Sequence, residues 1–156
     1  MPIARRLWDS VVVLGYLAGY DDLKPDCPLI IQQAQRGDLE IIVSEMAKVE
    51  VAYLTGHSDS ESEALIREFF SRDYIIPVNV DAPISTIARN LIRKYRNGPK
   101  IKPPDAIHLA TAIQWHIPVI ETTDTDFLKL DGREGNPSVT IRKPLYEGLN
   151  RFPSFR

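Results

Sequence analysis

Five carboxylates, far apart along the chain, pose a chemical question. Asp9 closes a short segment near the start, Glu50 lies in SEMAKVEV, Asp105 opens DAIHLATA, and Asp124 and Asp126 fall within TTDTDF. Gathered together they would repel, each raising the pKa of the next. A hard divalent cation relieves that repulsion, because Mg2+ and Mn2+ prefer oxygen ligands and keep several waters. A metal held by a few carboxylates with open positions can bind a phosphate and activate water. Taken singly, the same residues have plainer readings. Asp105 could stabilise a helix N-terminus by roughly 0.3–1 kcal/mol. Asp124 and Asp126 could form turns through local hydrogen bonds. Glu50 could be a solvated helix residue, but Val49, Val51 and Tyr53 beside it predict a partly buried surface, where a glutamate needs a reason. Asp9, in an apolar neighbourhood, is hard to explain as surface.

Other reactive side chains are few. His108 follows Asp105 by one helical turn. It could ligate metal or orient substrate, although such a residue is more often a packed histidine with both ring nitrogens satisfied. RKYRNGPKIK carries five basic residues, Arg93, Lys94, Arg96, Lys100 and Lys102, with Tyr95 among them. A basic strip leading into an acidic site would draw a nucleic-acid backbone towards it. It would equally complement a helix end. The single cysteine, Cys27, excludes an intrachain disulfide and a Cys-rich zinc site. It fits a reduced, cytoplasmic setting and reads as a loop or helix-start residue. Use of Asp9 as a phosphoryl-accepting nucleophile would need a second acid or hydroxyl close behind it. DSVVV supplies only Ser10, and no glycine-rich phosphate loop follows the strands.

These residues must be positioned by a chain of 156 residues, 44% apolar and 26% charged, with a net charge of −2. That is one globular domain, and binding to nucleic acid would rest on a local patch or on bound cations. The apolar run VVVLGYLAG is too short to span a bilayer, and no other stretch is long enough. Periodicity predicts a strand running into a helix over 7–20 and a buried strand at LEIIVS. Ser44 caps the next helix, whose apolar face is Met46, Val49, Tyr53 and Leu54. An amphipathic helix ends near Phe70, and YIIPVNV is extended, with Pro77 placing it at an edge or strand end. Helices from Asp81 to Tyr95 and from Pro104 to about Trp115 flank the basic loop. IPVIET is a further strand, TDTDF a loop, and VTIRKPL a late strand. Asp21, Asp22 and Asp26 read as loop. Strands alternating with helices predict an α/β domain with a mainly parallel sheet, over 1–145, with a tail at 146–156. In such sheets sites form beyond the carboxyl ends of the strands.

Four stretches, WDSVVVLGYL, VSEMAKVEVAYL, PPDAIHLATA and VIETTDTDFLKL, together resemble the PIN domain family, and most closely its VapC-type toxin ribonucleases. The resemblance covers most of the chain in the family's order. It implies a PIN-like fold and a quartet of acids, Asp9, Glu50, Asp105 and Asp124, around Mg2+ or Mn2+, with Asp126 as a helper. Ser10 matches a hydroxyl that follows the first aspartate, and Thr123 one that precedes the fourth. The implied activity is endoribonucleolytic cleavage leaving 5′-phosphate and 3′-hydroxyl ends. The implied partners are an RNA, a small antitoxin protein and a second copy of the chain. Two departures stand out. Val11 occupies a position where the family commonly has Asn, and IARRLW is more basic and less strand-like than the usual first strand. A catalytically weak PIN-fold module that binds RNA or another partner is the alternative.

Overall fold

The computed structural model describes residues 3–148. Five strands form one sheet: β1 Ala4–Trp8, β2 Leu39–Ser44, β3 Ile75–Val78, β4 Val119–Glu121 and β5 Thr140–Arg142. Their order is β3-β2-β1-β4-β5 and every pairing is parallel. β1 is central, with Leu7 in register with both Ile42 and Ile120. The chain builds outward from β1 through β2 to β3, then crosses back to lay β4 on the other side of β1. The switch point therefore lies between the ends of β1 and β4, which is where an open sheet leaves a crevice.

Side chains alternate across the sheet with period two. Leu7, Ile42 and Ile120 face one core, closed by helices α5 (Ala82–Lys94), α6 (Pro103–Gln114) and the short α7 (Thr125–Leu128). Trp8, Ile41 and Val43 face the other, closed by α1 (Ser10–Ala18), α2 (Asp26–Gln35) and α4 (Asp59–Phe70). The six-residue α3 (Glu45–Glu50) projects from the end of β2, capped by Ser44. Among the described residues no helix is long and apolar enough to cross a membrane.

The expectation of a mainly parallel sheet flanked by helices is met, and Pro77 stands on an edge strand. Several local expectations are corrected. IARRLW holds a true strand: its basic residue Arg6 is buried because Glu121, also buried, lies 3.1 Å from it. The Glu121 carboxylate also accepts from Trp8 Nε1 at 2.9 Å and from the Leu145 amide at 3.0 Å. Residues 26–35 are helical. Pro25 and Pro28 disguise this, but Cys27, Ile30, Ile31 and Ala34 make a buried stripe at helical spacing. Asp26 is the first residue of α2, and its carboxylate accepts the Tyr146 amide at 2.9 Å. Burial pushes the Cys27 thiol up to about 12, so it is no nucleophile. TDTDF is a helical turn, with Asp124 as its cap. In the 146–156 stretch, Glu147 pairs with Arg142 at 2.6 Å, and 149–156 lie outside the described residues.

Candidate functional site

Asp9 follows the last residue of β1 and caps α1, so its carboxylate points across the sheet's C-terminal rim. One oxygen accepts the Val12 amide at 3.1 Å. The other accepts the hydroxyl of Thr122, which stands one residue beyond β4. Thr122 also accepts the Asp124 amide at 3.1 Å, tying the two acids into one turn. The resemblance matches Thr123 to a hydroxyl that precedes the fourth acid; the hydroxyl that meets Asp9 is that of its neighbour Thr122, which by strand alternation continues the side of Ile120. Removing the Thr122 hydroxyl while keeping shape should expose the difference. Thr122→Val is expected to cost about 1–3 kcal/mol, because a buried carboxylate loses its donor. Thr123→Val should stay within about 0.5 kcal/mol. Urea unfolding midpoints check this, and equal losses would refute it.

The second wall is α6. Its first turn starts with Pro103 and Pro104, whose missing amide hydrogens fall where a helix has no partner for them. Asp105 follows in that first turn and is buried, with only 9% of its surface exposed. His108, one turn on, is buried, and its Nε2 lies 3.2 Å from the Glu50 carboxylate and 3.3 Å from the Ser10 hydroxyl. Ser10 donates to the same Glu50 oxygen. A carboxylate only accepts, so the His108 nitrogen facing it carries the proton. His108 Nδ1 has no partner among the described residues. His108 thus lies within the acid cluster, and the expectation of two satisfied ring nitrogens is corrected.

Glu50 is the last residue of α3 and hangs over Ser10 from the opposite side. Its supposed apolar surroundings are also corrected: Val51 and Leu54 are buried, but Val49 is 73% and Tyr53 66% exposed. The helix ends at Glu50, so later residues leave its periodicity.

Asp124 accepts the Asp126 amide through one oxygen at 2.9 Å, and its other lies 3.9 Å from Lys102 Nζ. Asp126 is turned towards Lys129 at 3.5 Å and is more exposed. The basic strip divides. Lys94 is paired with Glu134 at 2.6 Å, and Arg96 donates to the Arg93 carbonyl. Arg93 and Lys100 are exposed.

Electrostatics group Asp9, Asp105 and Asp124. Burial, first, and the nearby Asp124 charge hold the Asp9 carboxyl above its ordinary range, against the Thr122, His108 and Val12 interactions. Asp105 is pushed up to about 6, by burial first, then by Asp124 and Asp9. A helix dipole acting alone would have pulled Asp105 the other way. Glu50 behaves differently. Burial works to raise it, but hydrogen bonds from His108 and Ser10 outweigh that and hold it low.

Two buried, raised carboxylates beside a third amount to an unfilled demand for positive charge. The donors are all oxygen, which suits Mg2+ or Mn2+ rather than a softer metal. Among the described residues no group of three or more acids, imidazoles or thiols is arranged to hold a metal ion, so a cation here would rest on one or two carboxylates, the rest of its shell being water. Asp9, Asp105 and Asp124 are the candidates for those carboxylates, with Glu50 at the rim.

The Asp105 shift has a pH signature. Its folded pKa lies above its ordinary 3.8, so the unfolded chain releases the proton first. The stability contributed is complete below about pH 4 and is lost as pH rises through about 6. Without divalent cations, Asp105→Asn should stabilise the protein by about 1–3 kcal/mol at pH 7.5. At pH 4 it should change little. Melting curves in EDTA at the two pH values check this, and destabilisation at both would overturn it.

The PIN domain family model matches residues 13–133. Glu50, Asp105 and Asp124 lie inside that stretch, and Asp9 just before it. No curated protein matches the chain significantly. Among solved structures, VapBC2 from Rickettsia felis, bound to a promoter DNA fragment, is similar at a TM-score of 0.65 and 12% identity, covering 91% of this chain and 99% of that one. A toxin–antitoxin complex from Klebsiella pneumoniae gives 0.61 and 23% identity, covering 92% and 99%. VapC20 of Mycobacterium tuberculosis, described as a sarcin–ricin loop cleaving toxin, gives 0.61 and 12%, covering 78% and 92%.

Proposed function

Because this chain belongs to the PIN domain family, we propose that it is a metal-dependent endoribonuclease and the toxin of a toxin–antitoxin pair. The observation that carries this is the electrostatic coupling of three acids near the β1–β4 switch point: the Asp124 charge works to raise both Asp9 and Asp105, and Asp9 to raise Asp105. A bound Mg2+ or Mn2+ would supply Lewis acidity at the scissile phosphodiester and acidify a water for attack. The chain's own residues do the rest. Asp9 is locked by Val12 and Thr122, so its orientation is set before any ligand arrives. Asp124 is fixed by its own cap. Glu50, held low by Ser10 and His108, stays charged at neutral pH and is placed to accept a proton or orient a water at the rim. Lys102 is the nearest cation for a phosphate brought to Asp124.

The structures it resembles include VapBC2, a toxin–antitoxin complex and a sarcin–ricin loop cleaving toxin. Those descriptions favour an antitoxin as partner and a structured RNA as substrate; a homodimer and action in the cytoplasm rest on the resemblance of the sequence to the family alone. The test is direct. Purified protein is given labelled structured RNAs with Mg2+ or Mn2+, and with EDTA as control. Cation-dependent cuts leaving 5′-phosphate ends are expected, and no cleavage of any RNA would refute the reading. A second reading has one support: exposed Val11 stands beside Ser10 where the resembled pattern has an amide. A binding module with a weak site would take up Mn2+ or RNA without cutting.

A further inference from the structure

Arg89 and Arg93 sit four residues apart on α5, both exposed, and neither has an ion-pair partner among the described residues. Like charges at that spacing destabilise a helix by about 0.2–0.5 kcal/mol. Among the described residues five of the other eight arginines, Arg6, Arg36, Arg67, Arg72 and Arg142, pair with carboxylates, while Arg5, Arg96 and Arg133 do not. Lys94, the next residue along, is turned to Glu134. Arg89 and Arg93 instead flank a groove between α5 and α6 with a volume of about 360 Å³. Its other walls are Ala88, Ile92, Pro103 and Ile107, with Ser85 at one end. Ile92 is partly exposed, off the buried stripe of Ile84, Ala88 and Leu91. Pro103 lies two residues before Asp105 in the first turn of α6, so the groove ends within one helical turn of the acidic site.

We propose that this groove is a subsite for single-stranded RNA flanking the cleaved bond, its phosphates held by Arg89 and Arg93 and a base lying against Ile92 and Ile107. The proposal rests on the ribonuclease reading and extends it to a surface outside the acid cluster. Charge complementarity selects the occupant. A phosphodiester chain brings one negative charge per nucleotide to paired cations, and each base brings a flat apolar face to the floor between them. Guanidinium planes serve both needs, since they bind phosphate through two N–H donors and stack on bases. The position selects it as well: a strand entering the acid site has to leave it, and the repulsion of Asp9, Asp105 and Asp124 for the backbone needs compensation nearby.

The experiment measures binding of a labelled single-stranded RNA as a function of salt, using full-length protein carrying Asp105→Asn so that nothing is cut. Each of Arg89→Ala and Arg93→Ala is expected to weaken binding about tenfold at low salt and to flatten the slope of log affinity against log salt by about 0.7. Arg89→Lys and Arg93→Lys should restore the slope but only part of the affinity. Ile92→Ser should weaken binding with the slope unchanged. Mn2+ affinity of otherwise wild-type protein should be the same for all of these variants. Unaltered slopes in the alanine variants would overturn the subsite, as would variants that lose self-association or binding of an acidic peptide while keeping RNA affinity. If wild type cleaves no RNA but the slopes shift, the nuclease reading falls and the proposed place beside a cleaved bond falls with it, while RNA binding by the groove stands. If wild type cleaves and the slopes do not shift, the groove falls alone.

Discussion

Asp105→Asn is expected to reduce cation-dependent RNA cleavage by on the order of 10²–10³-fold or more, the scale on which losing one preorganised electrostatic group acts. The substitution is nearly isosteric, and asparagine is tolerated in a first helical turn. What disappears is the negative charge that Asp9 and Asp124 already crowd. The variant should melt higher than wild type in EDTA at neutral pH, for the reason the pKa shift gives, so a fall in activity cannot be assigned to unfolding. A site that is destabilising when empty and needed when filled is expected where structure has been traded for function. Mn2+ titration by calorimetry supplies the second readout: the variant should bind the ion at least tenfold more weakly. If the variant cleaves as fast as wild type, the assignment of the site is wrong. If it cleaves slowly yet binds Mn2+ normally, Asp105 acts on substrate rather than on the ion.

Two of these acids stand out in the sequence because each breaks a local pattern. Asp9 interrupts an apolar stretch, and Asp105 follows two prolines at the start of a helix whose remaining face is buried. The strand–helix alternation exposed the parallel sheet for the same reason, since β-branched runs such as LEIIVS cannot sit elsewhere. What stayed hidden depends on distance in three dimensions. Thr122 and Thr123 are indistinguishable in a loop, and only the continuation of β4 decides which one meets Asp9. His108 looked like packing because its helix face is apolar, yet α3 brings Glu50 within 3.2 Å of it. Tyr53 looked buried because the periodicity was continued past the true end of α3, and Val49 because a six-residue helix leaves that face uncovered. The basic strip looked uniform, but helical spacing sends Arg93 and Lys94 to different neighbours. Arg89, outside the strip, belongs with Arg93 by that same spacing.

Glu121 supplies the largest expected effect on stability. It is fully buried on the α1–α2 side of the sheet, directly before Thr122, and it holds Arg6, Trp8 and the Leu145 amide at once. Placing an ion pair here is no stabilising device in itself, because desolvation can exceed the Coulombic gain. Breaking it is another matter: Glu121→Ala leaves a buried guanidinium with only Glu147 and the Leu145 carbonyl. The expected loss is about 3–5 kcal/mol, which in a domain of this size lowers the melting temperature by roughly 6–20 °C. Denaturant unfolding gives the free energy, and a loss below about 1 kcal/mol would show the pair to be dispensable. A double variant, Arg6→Met with Glu121→Leu, should recover much of the loss, since removing both charges removes the desolvation cost with them. The two outcomes together separate a charge retained for specificity from one retained for strength. Because Thr122 follows Glu121 without a break, and the Asp9 amide reaches the Glu121 carbonyl at 3.4 Å, loosening this network should also loosen the first acid of the site. Glu121→Ala should therefore weaken Mn2+ binding even at temperatures where the protein remains folded, while the double variant should restore it.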